Sequence, residues 1–456
     1  MTAQAYIADD PRHALENRWT DIFKRDTAIH LLLMGCLVAA TFQGYLKDRI
    51  AGPVPYALAD LFLIGAAIFW LGGIAIRHAP IRGPGAVPLI ILTLIVVPLG
   101  YLVLPGTPIL IQLAGLRAWV AFPVAALIAL TVVKTPGQVR AYVGLILILC
   151  VITAIYGILQ YRAGPAAVLD VSKLADIRHG QTIFYDITGT NTTDFRAFST
   201  FTFPAPFAGM MVFGILLAAG ITLSRQRRRR DRVIALVMIP LFFLGMTVSG
   251  TRAALVILFI GLLVLGWYRG LTIRQIALVP IFLLALYAAS LVTAGRILER
   301  WQTIFLRESL LWTYVWAPIT VALRALSHHL FGYGLGRSGV GVPFQIFNSM
   351  PAGFFQGSDG DVGRAAVELG IFGLLLLLLI VVVLIPYAAR ATRQLAQTTA
   401  DDVALGLGAL VVSTGVILLI GSPLTSAPHG VIWWFFLGAL LKLAMLDDED
   451  PEAFEA

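Results

Sequence analysis

Charge is scarce in this chain of 456 residues. Asp, Glu, Lys and Arg together make up 13% of it, where a soluble globular chain carries about 25%. Beside a hydrophobic share of 59%, that scarcity excludes a soluble protein of two or three domains and indicates an integral membrane protein. Lysine is scarcer still, five of the 33 basic residues, so arginine carries the positive charge. Cysteine is nearly missing. Cys36 and Cys150 both lie in apolar stretches, which excludes a disulfide framework and leaves small apolar filler. No His, Cys, Asp or Glu group has metal-ligand spacing, so neither a metal nor any other cofactor is expected. Low-complexity tracts and internal repeats are also lacking. The formal charge of +8 does not indicate a nucleic-acid partner, because in membrane proteins Lys and Arg collect on cytoplasmic loops.

What is present is a series of apolar runs, each near the roughly 20 residues that a span requires. Twelve candidates stand at 28–46, 56–76, 87–104, 115–133, 141–160, 204–223, 233–249, 253–268, 276–294, 366–386, 403–421 and 431–446. Spans seven and eight are nearly fused and are split at Thr247-Val-Ser-Gly-Thr-Arg252, where polar residues and a glycine mark a turn. Leu33-Met34-Gly35-Cys36 resembles a lipoprotein cleavage box, but a long leader containing acids precedes it, so the first span is expected to stay in the membrane.

With a cytoplasmic N-terminus, one side receives the basic loops, among them Lys134 and Arg140, the six arginines of 225–232, Arg269 and Arg274, and Arg390 and Arg393. Short loops of this kind obey the positive-inside rule. The expected fold is therefore all-α: a polytopic membrane protein of about 12 transmembrane helices with both termini cytoplasmic. Residues 1–27 form a cytoplasmic segment, 28–446 a single membrane domain, and 447–456 an acidic, solvated tail. The same parity puts 161–203 outside, together with 295–365, the large loop between helices 9 and 10. Both are rich in Gly, Pro, aromatics and hydroxyls, and the chemistry is expected there.

The larger loop holds HHLFGYGLGRSGVG, residues 328–341, with Gly334, Gly336 and Gly339 in a Gly-x-Gly-x-x-Gly pattern. A dinucleotide site needs a βαβ unit around such a run, and none surrounds this one. Two readings remain open. One is a flexible turn after an amphipathic helix at 310–331, with Trp312, Trp316 and Leu323 on its buried face. The other is a backbone surface that a phosphate or sugar can approach closely.

Four segments resemble the O-antigen ligase-like and polysaccharide polymerase family. Arg196-Ala-Phe-Ser-Thr-Phe-Thr-Phe-Pro is similar to its "R-x-S-G-T-F-x-N-P", and Val248-Ser-Gly-Thr-Arg-Ala-Ala254 to its "S-R-G-A". His329-Leu-Phe-Gly-Tyr-Gly-Leu-Gly336 is similar to "H-P-L-x-G-x-G-x-G", and Val367-Glu-Leu-Gly-Ile-Phe-Gly373 to "E-L-G-L-x-G". They occur in the family's order over roughly residues 140–440. The resemblance implies glycosyl transfer at the periplasmic face of the bacterial inner membrane, from an undecaprenyl-diphosphate-linked oligosaccharide to a glycan or lipid acceptor. It implies no nucleotide sugar and no metal. A chain-length regulator and a flippase of the same pathway would be its partners, along with membrane lipids. One departure tilts the reading from ligase to polymerase: the His-Asn pair that ligases carry before Glu-Leu-Gly is replaced here by Ser358-Asp359-Gly360-Asp361.

A departing lipid diphosphate develops negative charge on phosphate oxygens, which suits the planar, always-charged guanidinium. Arg196 and Arg252 are the first candidates, at the expected outer boundary. Arg117 is a third, and Arg337 and Arg364 are further headgroup contacts. Gly334 and Gly336 would permit close approach. The acceptor hydroxyl must lose a proton, and a carboxylate can take it. Asp359 is the first choice and Asp361 the second, though Asp361 would also serve as a helix cap; Glu368 is the third acid, pairing with an arginine or orienting the site. A secondary transporter or lipid flippase, and a non-catalytic scaffold, remain alternatives from other classes.

Overall fold

Inside a bilayer, backbone N–H and C=O groups find no water, so a chain this apolar must satisfy them within helices. The computed structural model describes residues 11–50, 54–77, 81–103, 107–164, 184–186, 193–272, 316–339, 360–416, 418 and 423–449. The helices are α1 (Pro11–Thr41), α2 (Gln43–Arg49), α3 (Val54–Arg77), α4 (Val87–Gly100), α5 (Ile109–Val132), α6 (Pro136–Ala163), α7 (Pro204–Leu223), α8 (Arg229–Val248) and α9 (Arg252–Tyr268). They continue with α10 (Ala317–His328), α11 (Asp361–Leu379), α12 (Ile385–Leu395), α13 (Asp401–Val416) and α14 (His429–Glu449). A π-helical turn, Ile380–Leu384, joins α11 to α12. The fold is all-α as expected, with one short antiparallel pair among the described residues, β1 (Phe184–Asp186) with β2 (Thr193–Phe195), in which Tyr185 stands opposite Asp194.

Among the described residues, seven helices are long and apolar enough to cross a membrane: Ala57–Ile76, Ile109–Val132, Pro136–Ala163, Pro204–Leu223, Arg229–Val248, Asp361–Leu395 and His429–Glu449. Asp26–Thr41, Val87–Val103 and Arg252–Tyr268 are shorter apolar helices. The chain is a multi-pass membrane protein on this pattern. Every expected span falls on a helix except 276–294, which lies outside the described residues. The narrow break between spans seven and eight is a turn at Ser249-Gly250, with Gly250 at φ 62°.

Helix association in lipid depends on close packing by small residues, since lipid tails are as apolar as leucine. Gly220 of α7 meets Gly406 of α13 so closely that a Cβ at Gly220 would stand 2.5 Å from the Gly406 nitrogen.

Polar contacts divide the bundle into two ends. At one end Lys134 reaches Asp26 at 2.5 Å, and Arg140 and Arg227 converge on Asp402 at 3.0 and 2.6 Å. Asp401 accepts from the Ser224 hydroxyl and the Arg225 amide, and Gln394 donates to Asp447 and Asp448. α14 thus runs through Glu449, and the first acids of the expected solvated tail are helical and hydrogen-bonded. At the opposite ends of the same helices, Thr200 donates to the Thr41 carbonyl and Ala197 to the Val248 carbonyl. Lys134, Arg140, Arg225 and Arg227 of the expected basic loops therefore share one end. Asp402 is nearly fully buried, and Asp402→Asn is expected to loosen this end. Limited trypsinolysis should then cut within 225–232 faster than in the parent.

The segment expected as a helix at 310–331 needs a correction. The described helix is Ala317–His328, and its buried residues are Pro318, Ala322 and Ala325. Trp316 and Leu323 are 53% and 62% exposed, and Trp312 lies outside the described residues. The small alanines let α10 lie against Ala366 and Val367 of α11, which turns the bulky side chains away.

Candidate functional site

The loop before α7 is fixed from three sides. Gln160 Oε1 accepts from the amides of Phe198 and Ser199 at 3.0 and 2.8 Å. The Ser199 hydroxyl donates to the Thr153 carbonyl at 2.6 Å, holding a backbone with φ 54°. This scaffold aims Arg196 at the α8–α9 turn. Its Nε donates to the Ser249 carbonyl at 2.9 Å and its Nη2 to Thr251 Oγ1 at 3.0 Å. The residue after Thr251 is Arg252, the first of α9. Arg196 thus reaches the residue next to Arg252, which lies 56 positions on in the sequence. Both stand at the positive end of the α9 dipole, where a cation is disfavoured and an anion favoured.

A second polar group is buried in the bundle. Glu368 Oε2 accepts from Trp119 Nε1 at 2.7 Å and from Arg364 Nε at 3.3 Å. Its Oε1 accepts from the Ser338 hydroxyl at 2.5 Å. Arg364 further donates to the carbonyls of Thr425 and Gly115 at 3.5 and 3.4 Å and lies over the Trp119 ring at 5.5 Å. Neither Arg364 nor Glu368 is exposed at all. One turn earlier, Asp361 accepts from Thr425 Oγ1 at 2.6 Å and from the Leu424 amide at 3.1 Å. Rather than capping its own helix, Asp361 ties the start of α11 to the segment before α14.

The glycine run closes this group. α11 is broken at Gly370, with φ 60° and ψ −138°. Residues 330–334 enter the break and take up its freed backbone groups. Ile371 donates to the Leu330 carbonyl at 2.9 Å, Tyr333 to Val367 at 2.8 Å and Gly334 to Glu368 at 3.2 Å. The Tyr101 hydroxyl bridges the carbonyls of Phe331 and Leu369 at 2.9 and 2.7 Å. Gly336 packs on α5, where a Cβ would stand 2.4 Å from the Ile111 carbonyl oxygen, while Gly334 has only Thr107 Oγ1 beside it, at 3.4 Å. Gly336 thus serves close packing of backbone on α5, which is neither of the two readings open for this run.

The remaining candidates are dispersed. Arg117 Nε pairs with Asp60 at 2.7 Å, between α5 and α3. Arg337 Nε donates to Thr107 at 2.8 Å; burial lowers its pKa, though a guanidinium keeps its proton in a protein. His329 meets the Tyr333 ring edge-on at 4.2 Å. Asp359 lies outside the described residues. Among the described residues no group of three or more His, Cys, Asp or Glu could hold a metal ion.

Several of these partners escaped the sequence reading. Asp60 could have been found, because it is the one acid in the span 56–76, and an ionisable residue at that depth needs a partner. Trp119, Ser338 and Tyr101 carry no such signal; their roles depend on contacts across 249, 30 and 268 positions. No protein-family model matches the chain, and no curated protein matches it.

Proposed function

We propose that this protein is a glycosyltransferase of the O-antigen ligase-like and polymerase group, extending a surface polysaccharide from an undecaprenyl-diphosphate-linked donor. It would work at the periplasmic face of the bacterial inner membrane, with twelve spans and both termini cytoplasmic. The observation that carries this reading is the meeting of Arg196 with the Ser249–Thr251 turn that leads into Arg252. It lies at the end of α6, α7 and α8 opposite the basic loops, where a donor diphosphate would sit.

In the proposed reaction the acceptor oxygen attacks the anomeric carbon of the donor sugar. The bond from that carbon to the diphosphate oxygen breaks, and undecaprenyl diphosphate leaves with the electron pair, its charge held by Arg196 and Arg252. The acceptor proton passes to a carboxylate. Both oxygens of Asp361 are engaged by Thr425 and Leu424, so Asp359 stays the first choice. Attack opposite the leaving group inverts the configuration, and a retained linkage would exclude this route. The aspartate at 359 supports polymerase over ligase, which would join glycan to a lipid A core or another acceptor.

Alanine at Arg196 or at Arg252 is expected to lower product formation about 100-fold or more, the scale for removing a group that stabilises transition-state charge. The protein should remain in the membrane. Product analysis in cells carrying each variant is the check, and undiminished product from both removes the proposed site.

One observation favours a transporter: α11 is a broken helix with charged residues near the break, a feature of transporter binding sites. Against it, protein groups occupy the freed carbonyls of 367, 368 and 369, leaving none of these to coordinate an ion. Uptake or flipping by the purified protein in vesicles, without glycan product, would decide for the transporter.

A further inference from the structure

At the basic end, an exposed tryptophan lies under one arginine and two residues before another. Trp267 stands in the last turn of α9 and is 67% exposed. Arg393 of α12 lies over its ring at 5.0 Å. Arg269 is the residue that ends α9. Asp401, whose Oδ2 accepts from the Arg225 amide at 2.7 Å, and Arg225 itself are both close enough to act on the charge of Arg269.

Two buried acids stand in this region. Asp401 is buried against Ser224 and the Arg225 amide. Asp402 is buried between Arg140 and Arg227. Among the described residues, Arg225, Arg269 and Arg393 make no salt bridge. Asp401 offsets part of the charge on Arg269, but the arginines here outnumber the carboxylates left to balance them, and that surplus favours an anion from outside the chain.

The apolar surface indicates which anion. Val256 and Phe259 are exposed on α9, and with Trp267 they run along one side of the helix toward the arginines. An exposed tryptophan at the end of an apolar helix marks the headgroup level of a bilayer. A free phosphate would use the guanidiniums and leave this apolar track unused, whereas a phospholipid would use both.

We propose that Arg269 and Arg393, with Trp267 under Arg393 and Arg225 in support, bind the phosphate of an anionic phospholipid whose acyl chains lie along Val256 and Phe259. The site is independent of the glycosyl-transfer reading and lies at the other end of the bundle.

The test uses the full chain purified into nanodiscs of equal parts phosphatidylglycerol and phosphatidylcholine, with co-retained lipid measured by native mass spectrometry. The parent should retain phosphatidylglycerol preferentially. At about fivefold per arginine, Arg269→Ala with Arg393→Ala should lower that preference about 25-fold. Trp267→Ala, on an exposed face and neutral, should lower it about threefold. Removing the same charge at Arg228 and Arg229 should change it less than about twofold, since these lie outside the cluster. Equal retention of both lipids by the parent, or equal loss from the two arginine pairs, overturns the site. So does displacement of the lipid by glycerol 3-phosphate at matched concentration, which would make it a site for soluble phosphate.

Discussion

Alanine at Gly370 is expected to unseat residues 330–334 from the break in α11 and to lower the thermal stability of the detergent-solubilised protein more than any other single glycine-to-alanine change. Two effects combine. The backbone at φ 60°, ψ −138° lies where a side chain costs about 1–3 kcal/mol. The new Cβ would also stand 2.2 Å from the Leu330 oxygen and 2.4 Å from the Gly332 nitrogen, distances no carbon can hold. The segment must move, and each hydrogen bond it loses from the break costs roughly another 1 kcal/mol. Gly100 provides the control. It ends α4, and a Cβ there would have nothing within 4 Å, so Gly100→Ala should leave the midpoint nearly unchanged. A Gly370→Ala midpoint equal to that of the parent would mean the interlock contributes nothing.

The second large effect is expected at Glu368. Glu368→Ala leaves the Arg364 guanidinium fully buried with carbonyl oxygens at 3.4 and 3.5 Å and the Trp119 face as its remaining contacts. Removing one partner of a buried ion pair costs about 3–5 kcal/mol, most of it from the charge left behind. Removing both is cheaper, because no isolated charge remains. Arg364→Met with Glu368→Leu should therefore recover much of the loss, and the double-mutant cycle measures the coupling. Unchanged stability in Glu368→Ala would count against the pair. The same variants separate two roles for this acid. If Glu368 only supports the fold, product formed per folded molecule stays at the parental level in the double variant. If Glu368 is catalytic, product falls although stability is restored.

Much of this architecture was legible in the sequence. Crossing a bilayer is a local demand on a run of about 20 residues, and so α7 occupies the very range expected for its span. The break after Val248 was legible for the same reason: Ser249-Gly250-Thr251 cannot continue an apolar run, and Gly250 adopts the positive φ of a turn. The amphipathic reading of 310–331 failed at its face. Periodicity marks which residues share a side of a helix but not which side a neighbour covers. α10 is covered at its alanines, because small residues permit close approach to α11.

The candidate site was legible only as a list of residue types. Arg196 and Arg252 stood out because cations at a membrane boundary need a reason. Nothing local said that the Arg196 guanidinium would reach Ser249 and Thr251. The Gly334–Gly339 pattern looked like a ligand loop because phosphate cradles and tight backbone crossings ask the same thing of glycine, a missing Cβ.

Taken alone, the amino-acid sequence determined that this chain is a multi-pass membrane protein, where α7 and the break after Val248 fall, and which short loops carry the arginines. Each of these follows from hydrophobicity summed over neighbours in the chain. Only the tertiary structure decided that Asp60 holds Arg117, that Glu368 gathers Arg364, Trp119 and Ser338, and that a glycine segment fills a broken helix. Apart from Arg364 and Glu368, four residues apart on α11, those pairings join segments distant in the chain, and in a bilayer core an unsatisfied polar group is costly enough to select which segments meet.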